Sequence, residues 1–389
     1  MDMSKMISKI VKDTPPSGIR KFFDLANEMK DAISLSIGEP DFVTPANIVK
    51  AGVDSLLQGQ THYSPNAGFI EVRNEISNYL KRRYSLSYDP KNQIIVTVGG
   101  SEAIDIALRT IVTAGDEVIV PEPSFVSYKP CVAFTGATPV VISLREEDEF
   151  KLTPELLEKA ITSKTKAIIL SFPSNPTGAI MTHDELKAIV KVLEDKDILV
   201  ISDDIYSELT YGGKHASIAS FDSMKDKTLV INGFSKAFAM TGWRLGYVCG
   251  HPELISEMYK VHQYAIMCSP TTAQFAAIEA LKNGQEAVDA MVSEYDSRRK
   301  LLLEGLRSIG LSCFEPKGAF YMFPCLKSTG LSSTEFCERL LLEEKVAIVP
   351  GCAFGESGEG FARVCYAVSR ENIEIALERM QRFVGKLKS

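Results

Sequence analysis

Lys236 stands in the stretch "NGFSKAFAMTGWRLGY", residues 232–247, among small and aromatic side chains, with Arg244 eight positions on and glycines at 233, 242 and 246. A solvated lysine belongs on a polar face, so this setting asks for a reason. Apolar surroundings and a nearby cation both lower a lysine pKa, and a neutral amine is a nucleophile and a base. Other groups able to do chemistry end apolar runs elsewhere: "GGSEA" after "QIIVTV", "SNPTG" after "TKAIILSFP", and Asp203 with Asp204 closing "ILVISDD". Each is weak alone. A glycine pair opening a helix is common, adjacent acids are often solvated turn residues, and Asn-Pro is an ordinary turn. Together they matter, because in an open parallel sheet ligands bind beyond the carboxyl ends of the strands.

The elements needed to position these groups are legible. Between residues 93 and 250 seven short apolar runs recur: "QIIVTV", "DEVIVP", "TPVVISL", "TKAIILSFP", "DILVISDD", "KTLVING" and "GYVCG". Most are separated by helix-length segments, which predicts an α/β domain with a largely parallel, covered sheet. Thr182 followed by Glu185 predicts a capping box before "LKAIVKVLEDK", and Thr153 with Pro154 an N-cap and first helical residue. After Gly99 and Gly100, "SEAIDIALRTIV" repeats apolar residues at helical spacing. Beyond residue 285 a long charged helix, short strands in "FYMFP" and "VAIVPG", and a closing helix "SRENIEIALERMQRFVGKLK" predict a second, α+β unit. The expected division is a large domain over 46–285 and a small one from 1–45 and 286–389. The first 15 or so residues are expected to be loose.

Bulk properties exclude several classes. At 389 residues the chain exceeds the size of one core. A net charge of −7 argues against a nucleic-acid surface. No apolar run approaches the ~20 residues of a membrane span, and "MDMSKMISKIVKDTPPSG" lacks the apolar centre of a signal peptide, so a cytoplasmic location is expected. The eight cysteines include no CxxC pair and read as reduced structural thiols rather than a metal site. No GxGxxG or GxxxxGK[ST] follows a strand, which argues against a plain nucleotide-binding protein.

Over nearly its whole length, from "GIRKFFDLA" at 18 to "CYAVSRENIEIALERM" at 365–380, the chain resembles the fold type I aminotransferases, which use pyridoxal 5'-phosphate. The branch of aspartate and aromatic aminotransferases looks nearest. The resemblance implies a PLP-dependent transferase fold with a seven-stranded, mostly parallel sheet in the large domain and a smaller α+β domain.

It also implies roles. Lys236 forms the Schiff base with the cofactor aldehyde and shuttles the proton of the substrate α-carbon. Asp203, the first acid of "D-[DE]-x-Y", faces the pyridine nitrogen, while Asn175 and Tyr206 partner the ring hydroxyl oxygen. The phosphate is held by backbone N–H groups at Ser101, Glu102 and Ala103, by Arg244, and by the Ser235 hydroxyl. Tyr63, in "THYSPNAG", reaches the phosphate of a partner subunit's cofactor, which implies a homodimer. Phe125 stacks on the cofactor ring. Arg363, in "FARVCYA", clamps the substrate α-carboxylate, assisted by the backbone N–H of Gly38, with Asn175 also on the substrate side. One position departs: several relatives carry a phosphate-binding serine three residues before the lysine, where this chain has Gly233.

The implied reaction moves the amino group of an L-amino acid to a 2-oxo acid such as 2-oxoglutarate in two half-reactions. Two devices for holding a distal carboxylate are missing: a lysine after the glycine pair, where Ser101 stands, and an arginine in "HQYAIMCSP". Arg20 or Lys21 could substitute, and a broad or aromatic preference stays open. The rival within the same fold is a β-lyase acting on cystathionine-like substrates. A pyridoxal-phosphate-sensing regulator would need a DNA-binding domain, for which the residues before "GIRKFF" do not suffice.

Overall fold

The computed structural model describes residues 2–19, 29 and 31–388. Arg20 and Lys21 lie outside the described residues. Among those described, strand β1 (Ile33–Ser34) is followed by the seven strands of a central sheet: β2 (Ile94–Thr97), β3 (Glu117–Glu122), β4 (Thr138–Ser143), β5 (Thr165–Leu170), β6 (Leu199–Asp203), β7 (Thr228–Gly233) and β8 (Gly246–Cys249). Each of the seven strands falls on one of the seven apolar runs, β3 extending one residue past "DEVIVP". The sheet order is β2-β8-β7-β6-β5-β3-β4, and pairing is parallel except where β8 meets β2 and β7. The β7–β8 connection holds Lys236 and no crossover helix, so β8 returns antiparallel.

Alternation along the strands sends successive side chains to opposite faces. Ile95, Leu229, Ile231 and Val248 pack with Ile106 of the helix Gly99–Ile111 and Met258 of the helix Pro252–Ala265. Ile94, Val96 and Val230 pack on the other face with Ile76 of Ile70–Tyr84 and Ala277 of Thr271–Asn283. Each such fully buried aliphatic side chain contributes roughly 1.5–3 kcal/mol. With both faces covered, the runs read as continuously apolar.

The predicted caps form. Thr182 and Glu185 close a reciprocal capping box on His183–Leu193, and Thr153 accepts from Leu156 N ahead of Pro154–Ala160. The long helix covers Gln285–Ser308 and the last Arg370–Lys388. Between them, β9 (Tyr321–Met322), β10 (Val346–Ala347), β11 (Val349–Pro350) and β12 (Ala362–Cys365) pair as β11-β12-β9, while β10 joins β1 in parallel. Leu302, Phe320, Phe336, Ile348, Tyr366 and Phe383 share one core with Leu35 and Tyr206. The first residues, expected to be loose, carry two short helical stretches, Met3–Met6 and Lys9–Asp13, which bury no side chain.

Candidate active site

Four of the central strands end at one cavity of about 360 Å³. Asp203 is the last residue of β6, Lys236 follows β7 by three residues, and Asn175 follows β5 by five. Gly100 and Ser101 lie in the first turn of the helix after β2. Arg363 enters from β12, outside the seven-stranded sheet.

Lys236 Nζ donates to the Gly38 carbonyl at 2.6 Å and lies 5.7 Å from the ring centroids of Tyr206 and Phe320. Burial lowers its pKa to about 8; the charges of Arg363 and Arg244 add to the fall, while Cys365 and Glu39 oppose it. At pH 7 roughly a tenth of the amine is then neutral, far more than for an exposed lysine.

Asp203 shows the opposite shift. Burial raises its carboxyl to about 6, against a hydrogen bond from Tyr128 Oη at 2.7 Å and one from Ile205 N at 3.3 Å. Such a carboxylate gains from any cation placed before it.

Arg363 is 2 % exposed. Nη1 donates to Asn175 Oδ1 at 2.9 Å and Nη2 to the Ser36 carbonyl at 2.6 Å, while Nε is buried without an acceptor. The guanidinium lies 4.6 Å from the Tyr321 centroid and 4.8 Å from that of Phe354. Because arginine only donates, Asn175 must turn its carbonyl oxygen toward it, which leaves the Asn175 amide hydrogens for another partner. Tyr206 and Tyr321 share a hydrogen bond at 2.7 Å between their hydroxyls.

Arg244 adopts a left-handed conformation, φ 52°, and donates through Nη1 to the Thr241 carbonyl at 3.0 Å. Its guanidinium crosses Gly99, φ 74°, where an added Cβ would stand 2.8 Å from Nη2. A Cβ at Gly246 would stand 2.7 Å from Gly100 N, so the turn is crowded from two sides. Gly233 has a comparable reason: a Cβ there would lie 3.0 Å from both Gly246 Cα and Leu245 O. A side chain at 233 would require that backbone to give way by a few tenths of an ångström.

Of the residues singled out in the sequence, Gly38, Ser101, Phe125, Asn175, Asp203, Tyr206, Ser235, Lys236, Arg244 and Arg363 line this cavity. Glu102, Ala103 and Tyr63 do not. The helix begins at Gly99 with Val98 as N-cap, two residues earlier than "SEAIDIALRTIV" suggested. The unpaired first-turn amides are then those of Val98, Gly99, Gly100 and Ser101. Glu102 accepts the first of these through Oε2, and Ala103 is buried. Beyond Val98, the amides without an intrahelical partner are those of Gly99, Gly100 and Ser101, of which Ser101 belongs to the expected 101–103 set. Tyr63 is 80 % exposed, outside the cavity.

Tyr128, Tyr321 and Ser171 also line the cavity and had not been singled out. Tyr128 stands three residues after Phe125 in "PEPSFVSY", and their rings meet edge to face at 5.6 Å; that one-turn spacing was the available signal.

The cavity fits pyridoxal 5'-phosphate by its donor set. Lys236, Arg244 and Arg363 outnumber the carboxylates of Asp203 and Glu39 among the described lining residues. Arg363 Nε lacks an acceptor, and the Arg244 guanidinium lies against Gly99 at the start of a helix.

Comparison with known proteins agrees. The family described as "Aminotransferase class I and II" matches residues 30–380. The chain is 46 % identical to an aspartate aminotransferase of Pyrococcus abyssi, covering 96 % of this chain and 97 % of that one. A solved aromatic aminotransferase from Pyrococcus horikoshii superposes with a TM-score of 0.90 at 44 % identity, over 94 % of this chain and 99 % of that one. The aspartate aminotransferase of Thermus thermophilus solved with maleate gives 0.92 at 40 % identity, over 97 % and 99 %.

Proposed function

We propose that this chain, which belongs to the class I and II aminotransferase family, is a homodimeric enzyme that uses Lys236 and bound pyridoxal 5'-phosphate to move the amino group of an L-amino acid to a 2-oxo acid. The observation that carries this reading is the placement of the Lys236 amine in one cavity with Asp203, Arg244 and Arg363.

Pyridoxal 5'-phosphate, when bound, supplies an aldehyde for an amine and a ring that takes up the electron pair left when the α-proton departs. Its phosphate would lie against Arg244, Ser235 and the amides of Gly99–Ser101, where guanidinium and helix N-terminus both favour an anion. Asp203 would face the ring nitrogen. Asn175, with its amide hydrogens free, and Tyr206 would donate to the ring oxygen. Phe125 would cover one face and exclude water.

Arg363 holds the α-carboxylate of the substrate, completing with it the hydrogen bonding of a guanidinium already fixed by Asn175 and Ser36. Gly38 adds a backbone N–H. Lys236 Nζ, neutral above about pH 8, receives the α-proton and returns it. Its present partner is a backbone carbonyl, which cannot neutralise the ammonium, so the amine is not locked in an ion pair.

For the substrate side chain, no cation remains in the described lining once Lys236, Arg244 and Arg363 are assigned. This supports a broad or aromatic donor over a strict dicarboxylate. The acceptor is taken as 2-oxoglutarate, and the location as cytoplasmic.

The homodimer is supported by an exposed apolar group: Val43, Leu57, Tyr63 and Tyr264 are each 80–90 % exposed. A second copy covering them would bring Tyr63 to its cofactor phosphate. Domain limits of 46–285 and 1–45 with 286–389 belong to the same reading.

The test is the visible absorbance of cofactor-loaded protein on adding single amino acids without acceptor. Conversion of the loaded form by aspartate, tyrosine or another donor supports transamination and names the donor. Pyruvate and ammonia released from cystathionine-like substrates would replace it by β-elimination.

A further inference from the structure

Glu102 does not reach the cavity, yet its carboxylate is 92 % buried, with a side-chain exposure of 8 %. Oε2 accepts from Val98 N at 2.5 Å, and Oε1 meets His262 Nδ1 at 2.5 Å. His262 is wholly buried, and its Nε2 meets the Asn66 carbonyl at 2.7 Å. Both ring nitrogens thus have a polar partner. The ring sits in the last turn of the helix Pro252–Ala265.

The bridge joins two parts of the site. One end is the first turn of the helix Gly99–Ile111, whose Gly100 and Ser101 line the cavity. The other is the loop that carries Tyr63. Asn66 is held further by Tyr259 Oη on Oδ1 at 3.1 Å and by its own Nδ2 on the Met267 carbonyl at 2.7 Å. Gln274 Nε2 reaches Ser64 Oγ at 2.8 Å and Thr271 Oγ1 the His62 carbonyl at 2.7 Å. Residues 62–66 are therefore pinned on both sides of His262, with Tyr63 projecting outward.

We propose that His262 is a positioning residue for the cofactor phosphate: with Glu102 it fixes the amides of Gly99–Ser101 and sets the Tyr63 loop against them. The inference rests on the phosphate placement argued above. It has an unusual sign. Charge alone says that removing a carboxylate one turn from a phosphate tightens binding; the bridge says that removal loosens it.

Titration of cofactor-free protein with pyridoxal 5'-phosphate, followed by fluorescence, separates these. Glu102→Ala and His262→Leu should each weaken cofactor binding about tenfold, while kcat of His262→Leu at saturating cofactor stays within about threefold of wild type. Glu102→Gln should hold affinity within about twofold, because its amide gives Nδ1 a hydrogen while its oxygen keeps Val98 N. Should His262→Leu fail to fold, the Glu102 pair decides alone. Unchanged or tighter binding by Glu102→Ala, with wild type binding normally, overturns the bridge. A wild-type protein that takes up no cofactor overturns the phosphate placement and the bridge with it.

Discussion

Tyr128 donates its phenolic hydrogen to Asp203 Oδ2 across 2.7 Å in the wall of the cavity. The bond favours the ionised carboxylate against a burial that pushes its pKa up to about 6. Tyr128→Phe removes that support, so Asp203 ionises at a still higher pH, by roughly one unit for a charged hydrogen bond. In cofactor-free protein, pyridoxal phosphate affinity should fall on acidification through about pH 6 for wild type, and from a higher pH in the variant. Titrations across pH 5–8 (about three units around the transition) check the displacement; superimposable profiles would remove Tyr128 from the account.

Asp203 itself carries a stability cost. A carboxyl whose folded pKa is raised from 3.8 to about 6 contributes stability below its unfolded pKa, and that contribution is lost as pH rises through the folded value. At pH 7 the buried charge therefore destabilises cofactor-free protein by something on the order of 3 kcal/mol. Asp203→Asn should raise the denaturation midpoint of cofactor-free protein at pH 7 while lowering turnover about 10²- to 10³-fold. A variant less stable than wild type at that pH contradicts the assignment.

How much of this was visible beforehand divides by distance along the chain. The seven sheet strands and the Thr182–Glu185 capping box rest on neighbours in sequence, and all were legible. The short strands β9, β10 and β11 fall inside "FYMFP" and "VAIVPG", where strands were expected, whereas the two-residue β1 carries too few residues for a period. The helix start at Gly99 depends on its positive φ and on the approach of Arg244 from 145 residues away, so the helix was read as opening two residues late. Tyr321 on Tyr206 and His262 on Glu102 are pairings across 115 and 160 residues. No local pattern announces them.

Arg363 makes two charged hydrogen bonds inside the protein before any substrate arrives. Arg363→Lys keeps the charge but not the fork, leaving Asn175 and Ser36 without a common donor. Loss of kcat/KM by about 10²- to 10⁴-fold is expected for every amino acid tested, because the α-carboxylate is common to all. A loss confined to one side-chain class would instead place Arg363 at the distal end.

Tyr63 projects into solvent from a loop pinned beneath it. If it completes a second copy's phosphate site, Tyr63→Phe weakens cofactor retention about 3- to 10-fold. Mixing it with Lys236→Ala at limiting cofactor should then restore activity beyond the sum of the two, since each hybrid holds one complete site. Strict additivity in exchanged dimers would confine Tyr63 to its own subunit.

The central claim is that the Lys236 amine, lowered to about pKa 8 by burial, is the group that joins the cofactor aldehyde. Borohydride reduction of the loaded protein, followed by peptide mass spectrometry, tests it most directly. The account predicts one pyridoxyl adduct, on Lys236, absent from Lys236→Ala, whose turnover is lower by at least about 10⁴-fold. An adduct at another lysine, with Lys236 unmodified, would contradict it.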